Sequence, residues 1–376
     1  MIYLNRQISP GSTIGIIGGG QLGRFMAIAA KNMGYNVAVL DPTPDSPCGQ
    51  VSDIEITSPF HDLEGIKRLA DVSDVITYEF ENIDYEALRW IEKNTYLPQG
   101  SQLLLQTQDR KTEKQAITNA GCRVVPYQVV RSQEELTAAI QKIGLPSVLK
   151  TCRGGYDGKG QYVLKTIEDQ VNAQDLLKSG ECVLEKWLPF DKEISVIVTR
   201  SSNGETKTFP VAENIHRNNI LYQSILPARI QTEVAEEAEQ MAIQLANKMD
   251  LVGTLAVEMF LTKENEIFIN ELAPRPHNSG HYSLDLSITS QFEQHVRAVC
   301  GLPLGSTALL QTGVMVNLLG QDLNILEENF SLLKDAKLYL YGKKEAKTNR
   351  KMGHMTFLTE AIEQTEKKIN ELFGVN

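Results

Sequence analysis

Residues 147–165 read SVLKTCRGGYDGKGQYVLK. The stretch predicts a strand over 147–151, four glycines in seven positions, and a second strand from 162 to 165. Glycine lets successive backbone N–H groups converge on one anion, and Lys150 and Lys159 place positive charge on both sides of the turn. The segment is not a Walker loop, because G-x-x-x-x-G-K-[ST] is absent and the chain runs on into a strand rather than a helix. It reads as a flap that covers phosphates. A flexible hairpin loop with incidental glycines would need neither lysine.

Upstream, the first hundred residues alternate strand and helix, the pattern of a parallel sheet. A short strand over 13–17 runs into Gly18-Gly19-Gly20-Gln21-Leu22-Gly23, with a helix expected over 24–33 and a second strand ending at Asp41. Turn, helix and acid stand where a dinucleotide site would place them, yet a helix N-terminus attracts any phosphate, so the motif alone does not choose. From about residue 109 the pattern changes to a small α+β unit around the flap, followed by a β-rich remainder. Boundaries are expected near 108 and 190, giving segments 1–108, 109–190 and 191–376.

Downstream, LAVEMF (255–260) and EIFINE (266–271) look like the two strands of a tight hairpin. A turn centred on Glu264-Asn265 sets Glu258 opposite Glu271, on one face. Two facing carboxylates repel unless a cation lies between them or one takes up a proton. Hard oxygen ligands beside phosphates suit Mg²⁺, and Asn270 offers a further oxygen. Two surface acids on an edge hairpin would be the bland alternative. The loop that follows, Leu272-Ala273-Pro274-Arg275-Pro276-His277-Asn278-Ser279-Gly280-His281, concentrates anion donors beyond what stability alone explains.

Composition bounds the rest. The 376 residues suit two or three domains, and 42% hydrophobic with 22% charged residues is a globular composition. A net charge of −10 argues against non-specific nucleic-acid or membrane binding. No apolar run reaches the roughly 20 residues of a membrane span. The N-terminus lacks a secretion signal, and the five scattered cysteines suggest neither zinc nor disulfides, so a cytoplasmic location is expected. The basic run Lys343, Lys344, Lys347, Arg350 and Lys351 stands out against this acidic background; a solvated face is its ordinary reading.

Taken in order, the glycine turn, YEFENI, LK-T-RGGYDGKGQ, EK-x-x-x-F-x-x-E-x-S, PVAENIH, NE-x-x-PRPHNSGH and the Arg350–His354 segment resemble the ATP-grasp carboxylate–amine ligases. Within them the chain is similar to 5-(carboxyamino)imidazole ribonucleotide synthases of purine biosynthesis, from about residue 12 to residue 357. Phe25 departs from the methionine common in that family's turn, and Met26 follows it. The resemblance implies an α/β and α+β molecule, an ATP-grasp fold behind an N-terminal Rossmann-like, pre-ATP-grasp domain. It implies that Arg110, Lys150, Lys159 and the flap Gly155, Tyr156, Asp157, Gly158, Gly160 and Gln161 hold ATP phosphates. Glu185, Lys186, Trp187 and Leu188 would line the adenine slot, Glu193 would hold the ribose, and His216 and Asn270 would complete the pocket. Glu258 and Glu271 would carry magnesium, while Arg275, His277 and Asn278 would bind bicarbonate and its phosphorylated form. Tyr156, Asp157, Lys343, Arg350 and Lys351 would take aminoimidazole ribonucleotide, with Gln21 and Glu79 or Glu81 touching it from the first domain. His61 and His295 are expected to be surface or packing residues.

The implied reaction activates bicarbonate with ATP and passes its carboxyl group to the amine of the ribonucleotide. The implied partners are those small molecules and a second copy in a homodimer, not nucleic acid or a membrane. Three other readings stay open: a different ATP-grasp ligase, a dinucleotide-dependent oxidoreductase that uses only Gly18–Gly23 and Asp41, and a sensor that binds ATP without turnover.

Overall fold

The computed structural model describes residues 6–155 and 158–373, so the expectations for Tyr156 and Asp157 lie outside the described residues. The first segment contains β1 (Thr13–Ile17), α1 (Gln21–Asn32), β2 (Asn36–Asp41), β3 (Ile54–Thr57), α2 (Leu63–Asp71), β4 (Val75–Tyr78), α3 (Tyr85–Asn94) and α4 (Gln102–Thr107). Its parallel sheet has the order β3-β2-β1-β4. Successive side chains of β2 go to opposite faces: Val37 and Val39 pack with α1, while Ala38 and Leu40 pack with α2 and α3. Helix α1 begins at Gln21, three residues before the expected start, because the chain turns helical directly after the extended Gly20.

The second segment contains α5 (Arg110–Asn119), β5 (Tyr127–Val130), α6 (Gln133–Ile143), β6 (Ser147–Thr151), β7 (Gln161–Leu164), α7 (Gln170–Leu177) and β8 (Cys182–Lys186). Antiparallel strands in the order β5-β8-β6-β7 carry the flap between β6 and β7. Helices α6 and α7 bury Leu136, Ile140 and Ala173 against Leu149, Leu164 and Leu184. Helix α5 instead buries Ile117 beneath the large sheet of the next segment.

That sheet has the order β14-β13-β9-β11-β12-β15-β17-β16, with β10 on β9. The strands are β9 (Lys192–Arg200), β10 (Thr206–Thr208), β11 (Ala212–Arg217), β12 (Ile220–Leu226), β13 (Gly253–Leu261), β14 (Ile267–Ala273), β15 (Gly313–Leu319), β16 (Ala336–Leu340) and β17 (Lys351–Leu358). Its helices are α8 (Thr232–Lys248), α9 (Ser283–Leu286), α10 (Gln291–Val299), α11 (Leu323–Glu328) and α12 (Ile362–Leu372). Helix α8 buries Val234, Ala238 and Leu245 against Val196, Val198 and Leu255. Helix α10 lies between α1 and the strands β9 and β13 of the large sheet, and its Phe292, Val296 and Val299 join the core of β1, β2 and α1. Phe25 packs there edge-on to His281, His354 and Tyr341, so the residue that departs from the family turn is a ring in the seam between segments.

The β13–β14 hairpin pairs Glu258 with Glu271, though not through the assumed register. Next to the turn Leu261 faces Ile267 and Met259 faces Ile269, so the turn centres on Glu264 alone. Between Met259 and Glu258 the register slips by one residue, and Asn270 is the extra residue of the resulting bulge. The slip delivers Glu271 to the face of Glu258. Among the described residues no helix is long and apolar enough to cross a membrane.

His295 and His354 are both fully buried, and burial pushes each down to about 3. In the unfolded chain they regain an ordinary imidazole value near 6.5 and take up protons first as pH falls. Their contribution to stability is therefore complete above pH 6.5 and is lost as pH falls from there toward 3, by on the order of several kcal/mol. We expect the unfolding temperature to drop from pH 6.5 to pH 4, with a shallower slope in His354→Gln; parallel slopes would contradict this.

Candidate active site

The three segments meet around an open cleft of about 920 Å³. Its floor is the bulged hairpin. Burial, and then the charge of Glu271, push the Glu258 carboxyl up to about 8. Arg110, the first residue of α5, reaches Glu271 at 3.4 Å. The side-chain oxygen of Asn270 is buried without a hydrogen-bond partner. Two repelling carboxylates and an unpartnered amide oxygen in one place are the donor set of a hard divalent cation, and Mg²⁺ fits it. Asp109, Cys152 and Glu181 also bring their ligand atoms within 4.8 Å of one another. That cluster is no rival: Arg153 holds Asp109, Lys111 and Arg131 hold Glu181, and burial pushes the Cys152 thiol up to about 12.

One wall is the flap segment. Lys150 on β6 lies 2.8 Å from one oxygen of Glu185, and the fully buried Lys114 lies 2.9 Å from the other. Burial alone would raise Glu185, but the two ammonium groups outweigh it and hold the carboxyl at about 2. Glu113 accepts a hydrogen bond from the Leu272 N–H at 2.7 Å and, through burial and then Glu271, is pushed up to about 8. Sequence reading missed Glu113 and Lys114. Their signal was helical spacing, since residues three and four beyond Arg110 share its face.

Lys159, Gly155, Gly158, Gly160 and Gln161 line the cleft from the flap, with Lys186, Trp187 and Leu188 beside them. Glu193 lies 3.1 Å from His216. Burial lowers the His216 imidazole, and the nearby Glu193 more than reverses this, so the net shift is upward.

The far wall is the loop after β14. Arg275 forms a 2.8 Å ion pair with Glu81, which brings the first segment to the site. His277 lies 3.3 Å from Glu258 through Nε2. A buried chain fixes that orientation. The Ser224 hydroxyl donates to Asn214, the Asn214 amide donates to the Ser195 hydroxyl, and Ser195 donates to Ser279. The Ser279 oxygen lies 2.9 Å from His277 Nδ1, which also accepts the Ser279 N–H. Nδ1 is therefore an acceptor, and the proton of the neutral ring sits on Nε2, facing Glu258. Burial, and then Arg275, Lys351 and His216, hold His277 well below the ordinary imidazole range. Ser195 and Asn214 belong to the E-x-S and PVAENIH segments, so this chain gives both a structural reason.

Lys351 and Asn278 line the cleft, but Gln21, Glu79, Lys343 and Arg350 do not. Glu79 accepts the N–H groups of Gly20 and Gly23 at 2.6 and 3.0 Å, and Asp41 accepts that of Gly19 at 2.7 Å. The protein's own carboxylates thus occupy the amides that a dinucleotide pyrophosphate would need, which removes the oxidoreductase reading. Lys343 donates to the Lys351 carbonyl at 2.8 Å, and burial pushes its ammonium down to about 8. In the same basic run Lys344 pairs with Asp45 and Lys347 with Glu345. His295, expected to be a packing residue, is hydrogen-bonded at both ring nitrogens.

An antiparallel lid with a glycine flap, a carboxylate pair on the facing sheet and a first domain whose glycine turn is filled by its own carboxylates define an ATP-grasp ligase. Residues 115–292 match the ATP-grasp domain, 12–107 the ribonucleotide synthetase preATP-grasp domain, and 313–368 the phosphoribosylaminoimidazole carboxylase C-terminal domain. N5-carboxyaminoimidazole ribonucleotide synthase of Bacillus subtilis is 62% identical over 94% of this chain and 93% of its own. The Staphylococcus haemolyticus enzyme of the same name is 45% identical over 96% and 97%. Among solved structures, the Staphylococcus aureus synthetase complexed with ADP superposes with a TM-score of 0.95 at 43% identity, over 99% of this chain and 100% of that one. The Aspergillus clavatus synthase in complex with ADP and 5-aminoimidazole ribonucleotide does so at 0.90 with 29% identity, over 97% and 98%. The chain belongs to the N5-carboxyaminoimidazole ribonucleotide synthase family.

Proposed function

We propose that this cleft carries out the family's reaction, the ATP-dependent carboxylation of 5-aminoimidazole ribonucleotide by bicarbonate, with the residues in the following roles. The observation that carries the assignment is the convergence of the Glu258–Glu271 pair, Lys150 and the Arg275–His277 loop on one cleft. Lys150, Lys159 and Arg110 hold the ATP phosphates; Lys150 can turn from Glu185 to a phosphate because Lys114 stays to neutralise that carboxylate. Residues 185–188 line the adenine slot, and Glu193 with His216 holds the ribose. Glu258 and Glu271, with the Asn270 oxygen, would hold Mg²⁺, which supplies charge neutralisation at the phosphates.

Bicarbonate is a poor electrophile because its carbon carries a poorly leaving oxygen. Transfer of the γ-phosphoryl group to that oxygen gives carboxyphosphate and ADP. Arg275 stabilises the charge on the transferring group, and His277 donates from Nε2. The amine nitrogen of the ribonucleotide then forms the new C–N bond as the carbon–oxygen bond to phosphate breaks, directly or after release of CO₂. The flap excludes water that would destroy the intermediate. Tyr156 and Asp157 are assigned to the aminoimidazole and Lys343, Arg350 and Lys351 to its ribose phosphate, with Gln21 and Glu79 or Glu81 touching the same substrate from the first segment.

Bicarbonate labelled with ¹⁸O tests the route. Phosphate released in a turnover is expected to carry one labelled oxygen from bicarbonate; unlabelled phosphate would rule out its phosphorylation. We also propose a cytoplasmic homodimer, the state the family resemblance supports, which sedimentation equilibrium at twice the chain mass would bear out and the single mass would refute.

A further inference from the structure

The loop Pro274–His281 is not held by its own residues alone. Helix α10 presents Gln291 and, one turn on, His295 on the same face, both fully buried. The Gln291 amide grips the His277 peptide at both ends. Its oxygen accepts the His277 N–H at 2.9 Å, and its nitrogen donates to the His277 carbonyl at 2.6 Å. That nitrogen also lies 3.4 Å from His281 Nδ1. The backbone N–H of Gln291 donates to Ser283, whose hydroxyl donates to the Gly280 carbonyl at 2.6 Å.

His295 works at longer range. Its Nδ1 accepts the Thr254 N–H at 3.1 Å, so its proton is on Nε2, 2.8 Å from the Thr77 hydroxyl on β4. Thr77 in turn donates to the Gln99 oxygen, and the Gln99 amide donates to the Pro274 carbonyl at 3.4 Å. Thr254, His295, Thr77 and Gln99 are all buried. The donors run one way from helix to loop and end on the residue before Arg275.

Two glycines mark how closely these side chains are seated. A Cβ on Gly280 would stand 2.5 Å from the Gln291 oxygen. Gly253 has φ +100°, and a Cβ there would stand 3.0 Å from the His295 ring. Gly280, a constituent of the anion-binding loop, is thus glycine because Gln291 lies on it.

We propose that Gln291 directly, and His295 through Thr77 and Gln99, are positioning residues that hold Arg275 and His277 in register for bicarbonate. This rests on the function proposed above. A misplacement of about 1 Å at such a site costs on the order of a hundredfold in rate, so a buried amide clamp on the His277 peptide has a kinetic consequence separable from stability.

The test uses near-isosteric variants of the full chain. Gln291→Glu keeps the acceptor for the His277 N–H but sets an oxygen against the His277 carbonyl. Thr77→Val breaks the relay, and Thr77→Ser keeps its hydroxyl. We expect Gln291→Glu to raise KM for bicarbonate and lower kcat, each by tenfold or more, with MgADP affinity and KM for ATP within twofold of wild type. Thr77→Val should raise KM for bicarbonate severalfold, and Thr77→Ser should restore it. Hydrogen exchange of the peptide spanning residues 274–281 should speed up in Gln291→Glu and Thr77→Val, and not in Thr77→Ser. If Gln291→Glu does not fold, the threonine pair decides. Wild-type bicarbonate kinetics, an equal rise in the KM for ATP, or unchanged exchange in a variant that binds MgADP would overturn the proposal. A wild-type chain indifferent to bicarbonate would instead sink the function reading, while the exchange contrast would still report on the clamp.

Discussion

Replacing Glu271 with glutamine is expected to cut ADP formation by on the order of a thousandfold and leave the fold at least as stable. The two effects have opposite signs for one reason. Glu271 faces Glu258 across the bulge, and its charge helps push the Glu258 carboxyl up to about 8. An amide of the same shape removes that repulsion, and the Arg110 contact it weakens is long, 3.4 Å, and solvent-reached on the Glu271 side, so the unfolding temperature should hold or rise. It also removes one of the two charged oxygens available to Mg²⁺, whose stabilisation of phosphoryl transfer amounts to several kcal/mol, or about a thousandfold at one power of ten per 1.4 kcal/mol. Thermal melts and an ADP assay on the same preparation check both. Normal turnover in a folded Glu271→Gln variant would remove the metal assignment.

Arg275→Ala should be nearly as costly, on the order of a hundred- to a thousandfold in kcat, the usual loss when one preorganised donor is withdrawn from developing charge. Here stability falls as well. Arg275 pairs at 2.8 Å with Glu81, and stranding this half-buried carboxylate costs about 1–3 kcal/mol. A second change separates the effects. Arg275→Ala with Glu81→Gln should recover most of the unfolding temperature and none of the turnover. Recovery of turnover in the double variant would mean that Arg275 acts by tethering Glu81, not by touching the reacting group.

Much of the site was legible in the sequence because its residues stand in short segments with a chemical signature. The flap announces itself by glycine density between lysines, and PRPHNSGH by its donors. Glu258 and Glu271 were paired correctly with a turn centre that was not, since a bulge at Asn270 cannot be seen in a two-residue alternation. The glycine turn was ambiguous in the sequence. What closes it is Glu79, fifty-nine residues beyond Gly20, whose approach is a property of the sheet order. Ser195, Asn214 and Gln291 act through contacts between distant segments, and no spacing rule reports those. We propose domain boundaries near 108 and 190, which separate the three sheets, with α5 packed across the first of them onto the large sheet.

One cleft couples ATP to bicarbonate and aminoimidazole ribonucleotide. ADP formation by the purified chain, with MgATP, bicarbonate and the ribonucleotide each omitted in turn, measures that coupling. Full turnover is expected to need all three, with the ribonucleotide consumed as ADP appears. ADP formation indifferent to the ribonucleotide would contradict it, and would point to a different amine acceptor in the same ATP-grasp cleft.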